Sequence, residues 1–132
     1  MNGLTNFEKD ALKLLLEGNI KVLWNLRKQF ETCNLVNRTF SGMGFFIEFE
    51  TNFQIENKAL KGKTFQLSDV IAEVEGLEHG VGFVLFIENG KLSAFEEFTY
   101  DCEDWPNEIY NYKLSYLDGK KRNIKSLQNL WK

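Results

Sequence analysis

The sequence is poor in the residues that most often announce a function. It holds one histidine, two cysteines and one proline in 132 residues. With one His and two distant Cys, a structural zinc site has too few ligands. Cys33 and Cys102, without a secretion signal, read as reduced thiols rather than a disulfide framework. The lone Pro106 leaves no Pro-rich linker, and there is no internal repeat or low-complexity tract. No window approaches the roughly 20 apolar residues of a membrane span. The opening MNGLTNFEKDALKLLLEGN lacks the basic and long apolar regions of a signal peptide. The expectation is a cytoplasmic protein with no membrane contact, in which the sequon Asn37-Arg38-Thr39 is empty. A basic surplus is missing too. Net charge is −3 and the pI is near 5.3, so no nucleic acid is expected.

What is present suits one α+β domain. A chain of this length buries roughly two thirds of its unfolded surface, enough for a core without disulfides or metals. Aromatics stand out, with twelve Phe, four Tyr and three Trp. Thr5-Asn6-Phe7-Glu8 reads as a capping box. Phe7, Ala11, Leu14 and Leu15 follow at helical spacing. Glu17-Gly18-Asn19 ends that helix and offers Asn19 as the next N-cap. Ile20, Leu23, Trp24 and Phe30 mark a second helix to about Thr32, with Val22 and Leu26 widening its apolar face, giving a helical hairpin. Strand-like runs then follow at 35–40, 45–50, 64–67, 80–88, 91–99 and 112–117. Residues 51–63 read as a surface loop. Residues 68–74 suit either a helical turn or an extended segment. Asn89-Gly90 is a hairpin turn. Residues 80–88 are apolar on both faces, as in a strand covered on two sides, or on one side plus an interface. The end, 122–132, suits a short helix with Ile124, Leu127, Leu130 and Trp131 as its stripe. The expected fold is a helical hairpin packed on a mostly antiparallel sheet, with 119–132 as a basic extension.

Few residues point to chemistry. His79 can act as a base near neutral pH. Its neighbour Glu78 would face the other way on an extended segment, and neither cysteine carries a nucleophile's local signature. His79 is therefore read as a turn residue entering the central strand, and it is the one weak catalytic candidate. Gly42 and Gly44, and Gly76, Gly80 and Gly82, precede strands rather than helices, so bends and close packing explain them better than a phosphate loop. Asp101, Glu103 and Asp104 offer oxygens to a hard cation, but the EF-hand glycine and terminal Glu spacing are missing. No metal and no cofactor is expected.

The stretch 96–108 is the most distinctive. It carries six carboxylates in thirteen residues and no basic residue, with Phe98, Tyr100 and Trp105 interleaved. Clustered acids lie in water or face a cation. Aromatics supply contact area while acids steer the encounter. The plainer alternative is a solvated loop whose aromatics pack inward. A glycosidase-like acid pair needs a set separation that composition does not show. Lys120-Lys121-Arg122, Lys125 and Lys132 make a basic tail, read as solvated or docked on this acidic stretch.

FSGMGFFIEFE (40–50), GLEHGVGFVLFIENGKL (76–92) and EEFTYDCEDWP (96–106) resemble segments of a group of small uncharacterised bacterial proteins. The resemblance spans roughly residues 5–117 and leaves the basic tail as an addition. It implies a bacterial cytosolic domain and transfers no site.

The leading expectation is a non-enzymatic protein-binding module, such as an inhibitor or immunity-type protein. Its contact residues would be Glu97, Tyr100, Asp101, Glu103, Asp104 and Trp105, covering a basic site on a partner. The rival is a small hydrolase or ligand-binding protein using His79 with carboxylates near the 91–99 strand. A third expectation is a homodimer through 81–87.

Overall fold

A computed structural model describes residues 3–52, 54–119 and 121–132. Two helices, α1 (Asn6–Leu15) and α2 (Lys21–Thr32), precede seven strands. These are β1 (Asn34–Phe40), β2 (Gly44–Glu50), β3 (Phe65–Leu67), β4 (Val70–Val74), β5 (Val81–Glu88), β6 (Lys91–Thr99) and β7 (Tyr112–Tyr116). A short helix α3 (Ile124–Gln128) and a 3-10 turn (Asn129–Trp131) follow. The protein is α+β, with helices packing on a sheet. No helix among the described residues is long and apolar enough to cross a membrane.

The capping box forms as the sequence predicts. Glu8 N donates to Thr5 Oγ1 at 3.1 Å, and Thr5 N donates to Glu8 Oε1 at 2.8 Å. The second cap differs. Ile20, not Asn19, is the N-cap of α2, and no side chain caps it. The chain instead turns at Gly18 with φ +147°, and Arg27 Nη1 donates to the carbonyls of Leu16 and Gly18 at 2.5 and 3.0 Å. Val22, Leu23 and Leu26 of α2 are buried as expected, with Gln29 beside them, but Trp24 is 54% exposed beneath Lys28.

The sheet runs β1-β2-β6-β5-β4-β7, every pairing antiparallel. β3 also pairs with β5, through Phe65↔Ile87 and Leu67↔Leu85, while β4 pairs lower on the same strand at Ile71↔Gly82. Residues 70–74 are thus extended, which settles the open choice there. Asn89 and Gly90 turn β5 into β6 with φ of 51° and 80°, the left-handed pair such a turn requires. Buried Gln29 ties that hairpin to α2. Its Nε2 donates to Gly90 O at 2.8 Å and its Oε1 accepts from Leu92 N at 2.9 Å.

One face of the sheet carries Ile47, Phe83, Leu85, Ile87 and Phe95, all buried in the core with α1 and α2. Phe7 of α1 touches Phe83 and Tyr112 with ring centroids 5.4 and 4.8 Å apart. The opposite face holds half-buried Phe46, Val84, Phe86 and Phe98. β5 is therefore covered by helices on one side, with Phe46 and Phe86 in contact at 5.9 Å on the other.

The tail docks, though not on 96–108. Arg122, with a 5% exposed side chain, donates to both Asp69 oxygens at 2.9 and 3.0 Å. It also donates to Leu15 O at 2.7 Å and Glu17 O at 2.5 Å, closing the carbonyl end of α1. Trp131 packs on Phe65 at 5.3 Å. Lys120 lies outside the described residues.

Candidate functional site

The acidic stretch leaves β6 at Thr99 and turns sharply. Tyr100 is followed by Asp101 and Cys102, with φ of 57° and 59°. Neither is glycine, so this turn is held by its surroundings. Glu103 supplies the hold. Its carboxylate accepts Glu78 N at 3.0 Å and His79 N at 2.8 Å, and those two bonds set its pKa below the ordinary carboxylate value. Thr99 N donates to Met43 O at 2.9 Å, Trp105 N to Gly42 O at 3.0 Å, and Thr99 Oγ1 to Glu103 O. Loop 99–105 is thereby pinned to both the 41–44 turn and the 75–80 turn.

His79 sits in a bend, as expected of a turn residue. The bend brings it near acids that an extended chain would separate. Its Nε2 lies 3.3 Å from Asp101 Oδ2 and 3.8 Å from Glu78 Oε2, in the open. It stands at the rim of a shallow groove of about 680 Å³ between β4, β7 and the 75–80 turn. Gly82 has a packing role: a Cβ there would collide with Phe98 and the Tyr100 hydroxyl.

The six carboxylates therefore part company. Asp101, Asp104 and Glu108 face water, and Glu96 is half-buried on the outer sheet face. Glu103 is committed to backbone amides on both oxygens, so it is a poor cation ligand. Among the described residues, no group of three or more His, Cys, Asp and Glu is placed to hold a metal. Cys33 is buried, its thiol pushed up to about 11 by that burial, while the unpaired Cys102 is exposed.

Glu97 does not lie on the surface where the sequence reading placed it. It is 1% exposed, on the same face of β6 as Phe95. There it meets two residues that sequence reasoning did not single out as a site. Glu8, also 1% exposed, comes from the first turn of α1, and Arg38 comes from β1. Arg38 grips Glu8 with two parallel bonds, Nη1 to Oε1 at 2.9 Å and Nη2 to Oε2 at 2.6 Å. Arg38 Nη2 is 3.9 Å from Glu97 Oε2, and its guanidinium lies 4.1 Å over the Phe45 ring.

Glu8 and Glu97 are thus two buried carboxyls set against one guanidinium. One cation offsets one carboxylate, so burial favours a proton on the other. Burial, then the bond and charge of Glu8, pushes Glu97 up to about 10, against a smaller pull from Arg38. Burial would also raise Glu8, but the bonds from Glu97, Arg38 and Thr5 outweigh it and lower the net value. At neutral pH Glu97 is the acid and Glu8 the anion, the usual outcome when two carboxyls share a site. Glu97 Oε1 is buried with no hydrogen-bond partner, which costs a charged carboxylate more than a protonated one.

The trio floors a groove of about 410 Å³. Phe7, Phe45 and Trp105 stand in contact along it, with Trp105 6.3 Å from Phe7 and 6.0 Å from Phe45. Pro106, Ile109 and Tyr110 continue the wall. Trp105 is thus half-buried with its ring on the groove, whereas Tyr100 packs on Phe98 over Gly82, and Asp101 and Asp104 are exposed. One signal for Glu97 was in the sequence. Glu96 and Glu97 are adjacent in a strand, so one of them must face inward.

Comparison of the chain with protein families, with curated proteins and with solved structures finds no match.

Proposed function

We propose that this chain is a non-catalytic protein-binding module of inhibitor or immunity type. It takes a basic partner on the face built by residues 99–110. The observation that supports this most is the Glu103 staple. It holds the loop from beneath through Glu78 N and His79 N, while Tyr100, Asp101, Asp104, Glu108 and Tyr110 stay exposed. A loop already fixed in shape loses little entropy on binding. Its exposed acids raise the encounter rate with a cation, and Tyr rings supply contact area. One continuous core joining helices and sheet supports a single domain. Two unpaired thiols suit a cytoplasmic setting.

The test is capture from native lysate, at low and high salt, by wild type and by the triple variant Asp101→Asn, Asp104→Asn, Glu108→Gln. Wild type should retain a stoichiometric basic protein that high salt releases and the triple variant does not hold. Equal retention by both chains would sink the proposal.

A second reading rests on the 3.3 Å approach of His79 Nε2 to Asp101 at a groove rim. There the chain would bind or hydrolyse a small molecule with His79 as base. A ligand screen in which His79→Ala behaves as wild type removes it.

A further inference from the structure

The groove floored by Glu8, Arg38 and Glu97 has a charge arrangement unlike the exposed loop beside it. Arg38 is the one cation among its described lining residues, and Glu8 neutralises it through two bonds. Glu97 brings no charge while protonated. The floor is therefore neutral but holds a carboxyl that can become an anion. The walls are aromatic: Phe45, Trp105 and the 74% exposed Tyr110. The Arg38 guanidinium already lies 4.1 Å over Phe45, so such faces suit a delocalised cation. At the mouth, exposed Glu108 stands beside Tyr110 and adds a negative charge. An anionic ligand would meet three carboxyl groups and an already occupied arginine.

We infer that this groove binds a guanidinium or ammonium group, such as an arginine side chain of a partner, and releases a proton from the buried Glu97 carboxyl as it does so. The exchange balances. One cation enters, Glu97 becomes a carboxylate, and its proton leaves to solvent, so the net charge of the site stays unchanged. The groups facing Glu97 are Glu8 from α1 and Arg38 from β1. Its strand neighbours, Phe45 from β2 and Phe83 from β5, are apolar. Glu108 and Tyr110 stand at the rim. Arrival of the cation favours ionised Glu97 as nearby opposite charge does for any carboxyl. Affinity should therefore rise with pH, by up to about tenfold per unit while the free protein keeps the proton.

The test uses Nα-acetyl-arginine methylamide, whose guanidinium stays charged throughout. The neutral comparison is the citrulline analogue. Binding is read by the Trp105 indole resonance, and by calorimetry in buffers of different ionisation heat, from pH 6 to 8. The expected result is saturable binding of the arginine probe only, close to one proton released per probe, and affinity that climbs with pH. Glu97→Gln, which keeps shape and a donor toward Glu8, should lose both the binding and the proton release. Tyr110→Ala, at an exposed site that leaves the core untouched, should weaken binding several-fold.

Equal binding of the citrulline probe, binding with no proton release, or full binding by Glu97→Gln and Tyr110→Ala each overturns the inference. So does the absence of saturation at tens of millimolar probe. Asp101→Asn and Asp104→Asn lie outside the groove and should leave the probe's binding unchanged. The groove and the loop face can thus fail separately.

Discussion

Glu97 is the residue whose chemistry departs furthest from its ordinary form. Its pKa is 4.5 unperturbed and about 10 when folded, so folding at neutral pH takes up a proton. The sign follows from linkage: the stabilising contribution is whole below the unfolded value and is lost as pH rises through the folded one. Stability should therefore fall between about pH 5 and pH 9, by at most about 1.4 kcal/mol per pH unit for one proton. Glu97→Gln removes the titration but keeps a donor toward Glu8. Its melting temperature should exceed that of wild type at pH 8, with a flatter pH profile, in calorimetric scans of both chains. A matching pH profile would mean that Glu97 is ionised in the fold. Arg38→Ala should act the other way. It strips a buried anion of its bidentate partner, a change that costs about 3 kcal/mol or more in urea titration. Arg38→Lys should recover only part, since an ammonium cannot make the two parallel bonds.

Among the elements, the outcome divides by sequence distance. The capping box at Thr5 and Glu8, and the Asn89–Gly90 turn, are local chemistry and were legible from a few residues. The cap of α2 was not, because Arg27 and the Gly18 turn set the entry to that helix from outside the motif. Trp24 stands at helical spacing four residues after Ile20 yet faces water, and periodicity alone does not say which edge of a wide stripe meets the sheet. The 68–74 segment became β4 because β5 and β7 pair with it, which no local pattern shows. The hold of Glu103 on the 75–80 turn belongs to this scale. Glu103→Ala should speed hydrogen exchange at the amides of Glu78 and His79, leaving the β5–β6 ladder protected. Glu103 has a lowered pKa, so in wild type that protection should persist into acid. It should fade as pH falls through the folded value, below the ordinary carboxylate range. Unchanged exchange in the variant would show that the loop is held by something else.

For the whole molecule, the acidic stretch was legible as a composition, but its division into roles was not. Glu97 turned inward because the β6 pleat puts it beside Phe95, and Glu103 because the 75–80 turn offers two amides. Glu8 and Arg38 lie far from Glu97 in the chain, and only the packing of α1 on β4, β5 and β7, with its first turn reaching Arg38 of β1, brings them to one groove. That groove and the loop 99–110 lie side by side, sharing Trp105, Glu108 and Tyr110. A basic protein could therefore meet both at once, one cationic side chain in the groove and others over the loop. The most direct measurement is hydrogen–deuterium exchange of the whole chain, alone and mixed with whichever basic protein the capture experiment retains. New protection is expected at 99–110 and at residues 5–8 and 38, with the outer sheet face unchanged. Protection confined to Phe46, Val84, Phe86 and Phe98, with the loop exchanging as before, would contradict it.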